Sequence, residues 1–169
     1  MSNAGYVHTA FGLMALALGA AVFALRKGTP LHRALGYGFV ASLLGLHGTA
    51  FMMYRAFGGL GLFHALSVVN LATLAAGLVP AYRKKPAGRW LRAHYTWMGW
   101  TYAGLLAATA AEITRLPVFE FKSGAWWAAW AVASFGIGLS ALYLVYRYRE
   151  GAIRRAMINY DEGLTKRCS

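Results

Sequence analysis

The chain has 169 residues, 59% hydrophobic and 13% charged, with a formal net charge of +12. A soluble domain is about half apolar and a quarter charged, so a chain this apolar lacks the polar groups to cover its own surface; lipid is the expected solvent. The single cysteine, Cys168, excludes an internal disulfide. The basic residues gather at the ends of apolar runs instead of forming one stripe with interleaved aromatics, which argues against nucleic acid as a partner.

Five stretches are long and apolar enough to cross about 30 Å of hydrocarbon as helix. In chain order they are Tyr6 to Leu25, Leu35 to Met53, Leu60 to Val79, Tyr95 to Ala111, and Ala125 to Tyr146. Backbone polar groups in lipid must be satisfied within their own segment, so the spans are helices. The first is expected to be retained and not cleaved as a signal peptide: Met1 to Gly5 carry no basic side chain, and the apolar run is too long for an h-region. Pro30 suits the first turn of the second helix. Gly58, Gly59 and Gly61 read as a flexible hairpin between spans two and three. The fold class is therefore all-α, an integral membrane bundle over residues 1–146. Residues 147–169 form a basic tail, helical as far as about Arg155 and without a clear fold beyond.

Charge placement predicts direction. Arg26, Lys27 and Arg33 lie between spans one and two, and Arg83, Lys84, Lys85, Arg89 and Arg92 between three and four. Arg147, Arg149, Arg154, Arg155, Lys166 and Arg167 follow span five, whereas only Arg55, Arg115 and Lys122 fall on the other side. By the positive-inside rule the N-terminus lies outside and the C-terminus in the cytoplasm. Trp90, Trp97, Trp100, Trp126, Trp127 and Trp130 stand mostly near span ends, where an aromatic belt belongs. The basic face is expected to attract anionic headgroups.

All five histidines, His8, His32, His47, His64 and His94, fall in or beside the first four spans. Ionisable groups at membrane depth are costly, which makes each a functional candidate. At about 1.5 Å per residue, His8 and His64 share an outer depth, His32 and His94 share an inner one, and His47 lies slightly outward of the midplane. His32 and His47 differ in direction by about 60° around their helix, so both can face one interior. Paired imidazoles from facing helices suit haem iron, and two levels of them would carry electrons across the bilayer. Gly36, Gly38, Gly45 and Gly48 beside these histidines would admit a flat macrocycle, although small residues also serve helix contact. Arg33, Arg89 and Arg92 are candidate partners for the propionates of an inner haem, and Arg55 or Arg115 for an outer one. Tyr95 and Tyr102 are expected to be packing residues.

This pattern is similar to the four-helix core of the di-haem b-type transmembrane cytochromes, in which alternate helices supply both axial ligands of each haem. The resemblance covers roughly residues 6–111 and implies haem b, with His8 paired to His64 and His32 to His94. His47 departs from it, as a replacement for His8 or a bystander. A closer resemblance, to the bacterial membrane family known as domain of unknown function 2306, rests on several short motifs. These are His8-Thr9-Ala10-Phe11-Gly12, Lys27-Gly28, His32-Arg33-Ala34-Leu35-Gly36, an early His64, and His94-Tyr95-Thr96-Trp97-Met98. That family implies a multi-pass protein of the bacterial inner membrane and no established activity.

Two other readings stay open. His8, His47 and His64 with Glu112 would make a zinc site similar to that of membrane hydrolases of the ceramidase kind, though no Asp occurs in any span. Alternatively the chain is a non-catalytic subunit of a larger membrane complex or a lipid-binding module, with its histidines serving as interhelical hydrogen-bonding groups. Asn70, the most central polar side chain, is too little for an ion relay. The expected function is a b-type cytochrome passing electrons across the bilayer, with a quinone or a soluble redox protein as partner.

Overall fold

The computed structural model describes residues 3–53, 61–85, 89–113 and 123–168. These residues form five helices: α1 (Asn3–Ala24), α2 (Pro30–Met52), α3 (Leu62–Arg83), α4 (Trp90–Ile113) and α5 (Ser123–Cys168). Local chemistry sets their ends. Gly28, at φ +82°, takes the left-handed conformation that turns the chain after α1. Thr29 then caps α2, its Oγ1 accepting the His32 amide at 3.1 Å, and Pro30 occupies the first turn. α3 ends at Lys84, whose φ of 52° closes the helix in the left-handed region.

Each of the five expected helices is present, with bounds shifted by a few residues. The larger difference is α5, which runs 46 residues without a break at Tyr146. At about 1.5 Å per residue it is roughly 70 Å long, far more than a bilayer requires. The segment expected to lose its fold beyond Arg155 is helical through Cys168. Ala152, Ile153 and Ala156 are buried, so the extension has a packed face of its own. Arg92 on α4 ties the extension down by a two-pronged ion pair to Glu150, at 2.8 and 2.9 Å.

α1 packs along α2 and α3 along α4, which makes two tight hairpins. Contacts between the hairpins, α2 to α3 and α1 to α4, are sparse, and α5 lies along α4. Ala15, Phe39, Leu43, Leu74, Met98 and Leu105 form the core where the hairpins meet. Tyr102 locks it: its ring stands edge-on to Phe39 at 6.1 Å and its hydroxyl donates to the Leu16 carbonyl at 3.0 Å. A Cβ at Gly19 would overlap the Tyr102 ring, so only glycine admits the tyrosine there.

Large apolar side chains such as Leu13, Val68, Val132, Phe135 and Leu139 point outward, as a lipid-facing surface requires. Four helical segments are long and apolar enough to cross a membrane: Asn3–Ala24, Pro30–Met52, Phe63–Arg83 and Ala128–Ile158. α4 is equally long but carries more polar side chains, and its hydroxyls turn to carbonyls. Thr101 Oγ1 reaches Trp97 O at 2.9 Å and Thr109 Oγ1 reaches Leu105 O at 2.8 Å. Buried against α3 and α5, α4 needs less apolar surface than helices on the rim.

Candidate functional site

The basic end of the bundle brings two histidines from diagonal helices together. Lys27 Nζ folds back on the last carbonyls of α1, bonding Val22 O at 2.9 Å, Leu25 O at 3.1 Å and Phe23 O, which satisfies a helix end that has no amides left to offer. The Thr29 cap then fixes His32 in the first turn of α2. The His32 ring lies near Lys27 and His94 and within reach of the Val22 carbonyl, and its Nδ1 is buried without a hydrogen-bond partner among the described residues.

His94 enters from α4, oriented by α3. Pro80 removes the amide that would bond the Ala76 carbonyl and opens this stretch of α3. At the neighbouring Gly77 a Cβ would lie 2.8 Å from Met98 Sδ and 3.2 Å from the Met98 amide nitrogen. Its absence lets α4 approach, and His94 Nδ1 reaches the Gly77 carbonyl at 2.9 Å. A carbonyl only accepts, so Nδ1 carries the proton and Nε2 keeps its lone pair. Fixing one ring nitrogen on a carbonyl is how metal-binding histidines are held.

The three histidines farther from the basic end are arranged differently. His8 Nδ1 is 3.0 Å from Thr49 Oγ1, whose own proton is directed to the carbonyls of Gly45 and Leu46 at 2.9 and 2.8 Å. His8 is thus the donor. His47 Nε2 donates to Asn70 Oδ1 at 3.1 Å, an orientation set because Asn70 Nδ2 donates to the Thr101 carbonyl at 2.9 Å. Thr101 Oγ1 lies 3.0 Å from Thr73 Oγ1, which donates to Asn70 O at 2.8 Å. The result is a polar ladder that joins α2, α3 and α4 in the middle of the apolar bundle.

His64 works within its own helix. Its Nδ1 accepts the Gly61 amide at 3.2 Å, which caps α3, and its ring lies 5.9 Å from that of Phe51. Accepting there places the ring proton on Nε2, which is buried without a partner. In this tautomer neither nitrogen offers a lone pair to a metal.

Of the expected inner couple, His32 lies near His94, whereas His8 turns to Thr49 and His64 to Gly61. His47 is near His8 but is held by Asn70. Among the described residues no three of His, Cys, Asp and Glu gather as a metal site, so the zinc set of His8, His47, His64 and Glu112 is not assembled. The expected glycine cradle is also partly occupied: Phe11 fills the face of Gly45 and Leu18 that of Gly38. Here glycine serves helix contact. Of the arginines, Arg92 is committed to Glu150 on α5, and Arg33 and Arg89 are exposed at the same end as the inner couple. Arg55 and Arg115 lie outside the described residues.

A model of predicted membrane proteins, domain of unknown function 2306, matches residues 5–146. The chain belongs to that family. The matched stretch of this DUF2306 protein includes all five histidines, the Lys27 cap and the Asn70 ladder, and it ends within α5, ahead of the helical extension. No curated protein and no solved structure matches the chain.

Sequence reasoning passed over a cleft between the end of α1, α4 and α5, lined by Lys27, Tyr102 and Arg155 among others. The signal was present in spacing: Tyr95 and Tyr102 on α4, and Tyr148 and Arg155 on α5, each repeat after two helical turns. Nothing local says that these two faces meet.

Proposed function

We propose that the protein is a membrane-embedded redox carrier holding one haem b at the basic end of its bundle, between His32 and His94. The reading rests on one observation. These two rings come together from diagonal helices, one with a buried unpartnered nitrogen and the other with its Nε2 lone pair left over by the Gly77 bond. Both donors fit the bis-imidazole ligation of b-type haem. The sparse contact between the two hairpins supports a site between them at this level.

Haem in that place supplies a one-electron couple within the bilayer. The chain's own residues do the holding. Gly77 O orients His94, the Thr29 cap orients His32, and the exposed Arg33 and Arg89 at this end provide cations for the propionates. The core of Phe39, Leu43 and Tyr102 keeps water from the deeper side. His64 gives its lone pair to the Gly61 amide and cannot ligate in that tautomer, so the other couple is incomplete and the reading is one haem and not two. In this proposal α4 crosses the bilayer with the other four helices, the basic end faces the cytoplasm of a bacterial cell, and a quinone or soluble protein exchanges the electron.

A second reading, a non-catalytic membrane subunit, is favoured by the polar ladder from His47 through Asn70 to Thr101, which is structural in form. A reduced-minus-oxidised visible spectrum of the full chain purified in detergent separates the two. The haem reading expects a sharp b-type α-band that disappears in His32→Ala and His94→Ala and persists in His64→Ala. A colourless protein, or a band indifferent to both inner substitutions, overturns it.

A further inference from the structure

A cleft of 710 Å³ opens between the end of α1, α4 and α5, on a different side of α4 from the Gly77 contact that holds His94. Its size is in the ~300–1,000 Å³ range of small-molecule sites. Three cations, Arg26, Lys27 and Arg155, stand on it, while Leu106 and Leu144 line its apolar part and Tyr148 adds a hydroxyl. Among the described residues no acidic side chain lines it. The cleft thus changes from cationic to apolar where the basic end of the bundle meets its lipid-facing spans.

The cations are close enough to repel. Burial holds the Lys27 ammonium below the ordinary lysine range, and the Arg155 guanidinium, brought in by the extension of α5, lowers it further. Lys27 directs its hydrogens at the α1 carbonyls, so it contributes field, and the donors for a ligand come from the arginines. Arg155 is exposed. An anion seated here relieves the repulsion, and guanidinium groups match phosphate oxygens in geometry as well as charge. A free anion would leave the apolar part wet. A molecule with both parts satisfies the whole cleft, and basic pockets between membrane helices bind anionic headgroups for this reason.

We infer that this cleft is a binding site for an anionic phospholipid, with its phosphate at Arg26 and Arg155 and an acyl chain along Leu106 and Leu144. The site depends on the helical extension of α5, because Arg155 and Ala152 reach the cleft only if α5 continues past Tyr146.

Native mass spectrometry of the full chain, released from detergent micelles containing phosphatidylglycerol or phosphatidylcholine of matched chains, tests it. Phosphatidylglycerol should be retained at least fivefold better. Arg155→Gln should lower that preference about fivefold, the value of one cation at a charged lipid surface. Leu144→Trp, which fills the apolar part and keeps every charge, should reduce retention of phosphatidylglycerol. Helix content by circular dichroism verifies that both variants are folded. Equal retention of the two lipids, or an Arg155→Gln protein that binds as the unaltered chain does, overturns the inference. Displacement of the lipid by millimolar inorganic phosphate alone would also overturn it, by showing a site for the free anion. None of these readings depends on haem.

Discussion

The two ends of the bundle hold the same side chain to opposite effect. Away from the basic end, His8 and His47 donate to Thr49 and Asn70, and His64 accepts from Gly61. At the basic end His32 lies near His94, its Nδ1 without a hydrogen-bond partner among the described residues, and His94 Nδ1 donates to the Gly77 carbonyl. The clear contrast is between His94 and His64: a carbonyl partner leaves His94 Nε2 its lone pair, whereas the Gly61 amide takes that of His64 Nδ1. An imidazole in a membrane helix is thus a site or a strut according to what its other nitrogen touches.

The sharpest break of this comparison is the substitution of single histidines. His94→Ala should remove the b-type band completely, while His8→Ala leaves it at its original position and intensity in the visible spectrum. A band that follows His8 instead would reverse the roles of the two ends.

Gly77→Ala probes the support of the inner couple. The added Cβ meets the Met98 backbone, which cannot swing aside as a side chain can, so overpacking of about 1–3 kcal/mol is expected. Thermal unfolding in detergent should register that loss, and the band should weaken as the Gly77 carbonyl moves from His94. Should the variant be as stable as the parent, the close approach of α3 and α4 is not what fixes the ring.

In the middle of the bundle, Asn70→Leu should cut the ladder and lower stability by roughly 1 kcal/mol, a typical value for interhelical hydrogen bonds in lipid. No change in the band is expected. Arg92→Gln should have the least effect, at most about 1 kcal/mol, because both partners of its ion pair are exposed. Protease resistance of the α5 extension is the suitable measurement, with earlier cleavage beyond residue 146 expected.

Much of this was legible in the chain because membrane helices obey local rules. The ends of α2 were written in Thr29 and Pro30, and the basic clusters marked which ends lie together. The extension of α5 was not, since its polar, mixed composition from Arg147 onward has no apolar run to announce it; its helix is held by the buried Ala152, Ile153 and Ala156 and by Arg92. The inner couple was expected from depth alone, and so was the outer one. His32 does lie near His94, whereas His64 gives its lone pair to the Gly61 amide, because depth says nothing of the partners each ring nitrogen finds.

By itself the sequence determined that the chain is helical and membrane-bound, that its spans fall where they do, and that its charge collects at one end. Each of these follows from segments that must satisfy their own backbones and bury their own apolar surface in lipid. Tertiary structure decided which imidazoles meet, which glycines are filled by a neighbour's ring, and that Arg155 joins Lys27 across a cleft. Those outcomes depend on how whole helices turn toward one another, and that is set by the summed packing of every face at once.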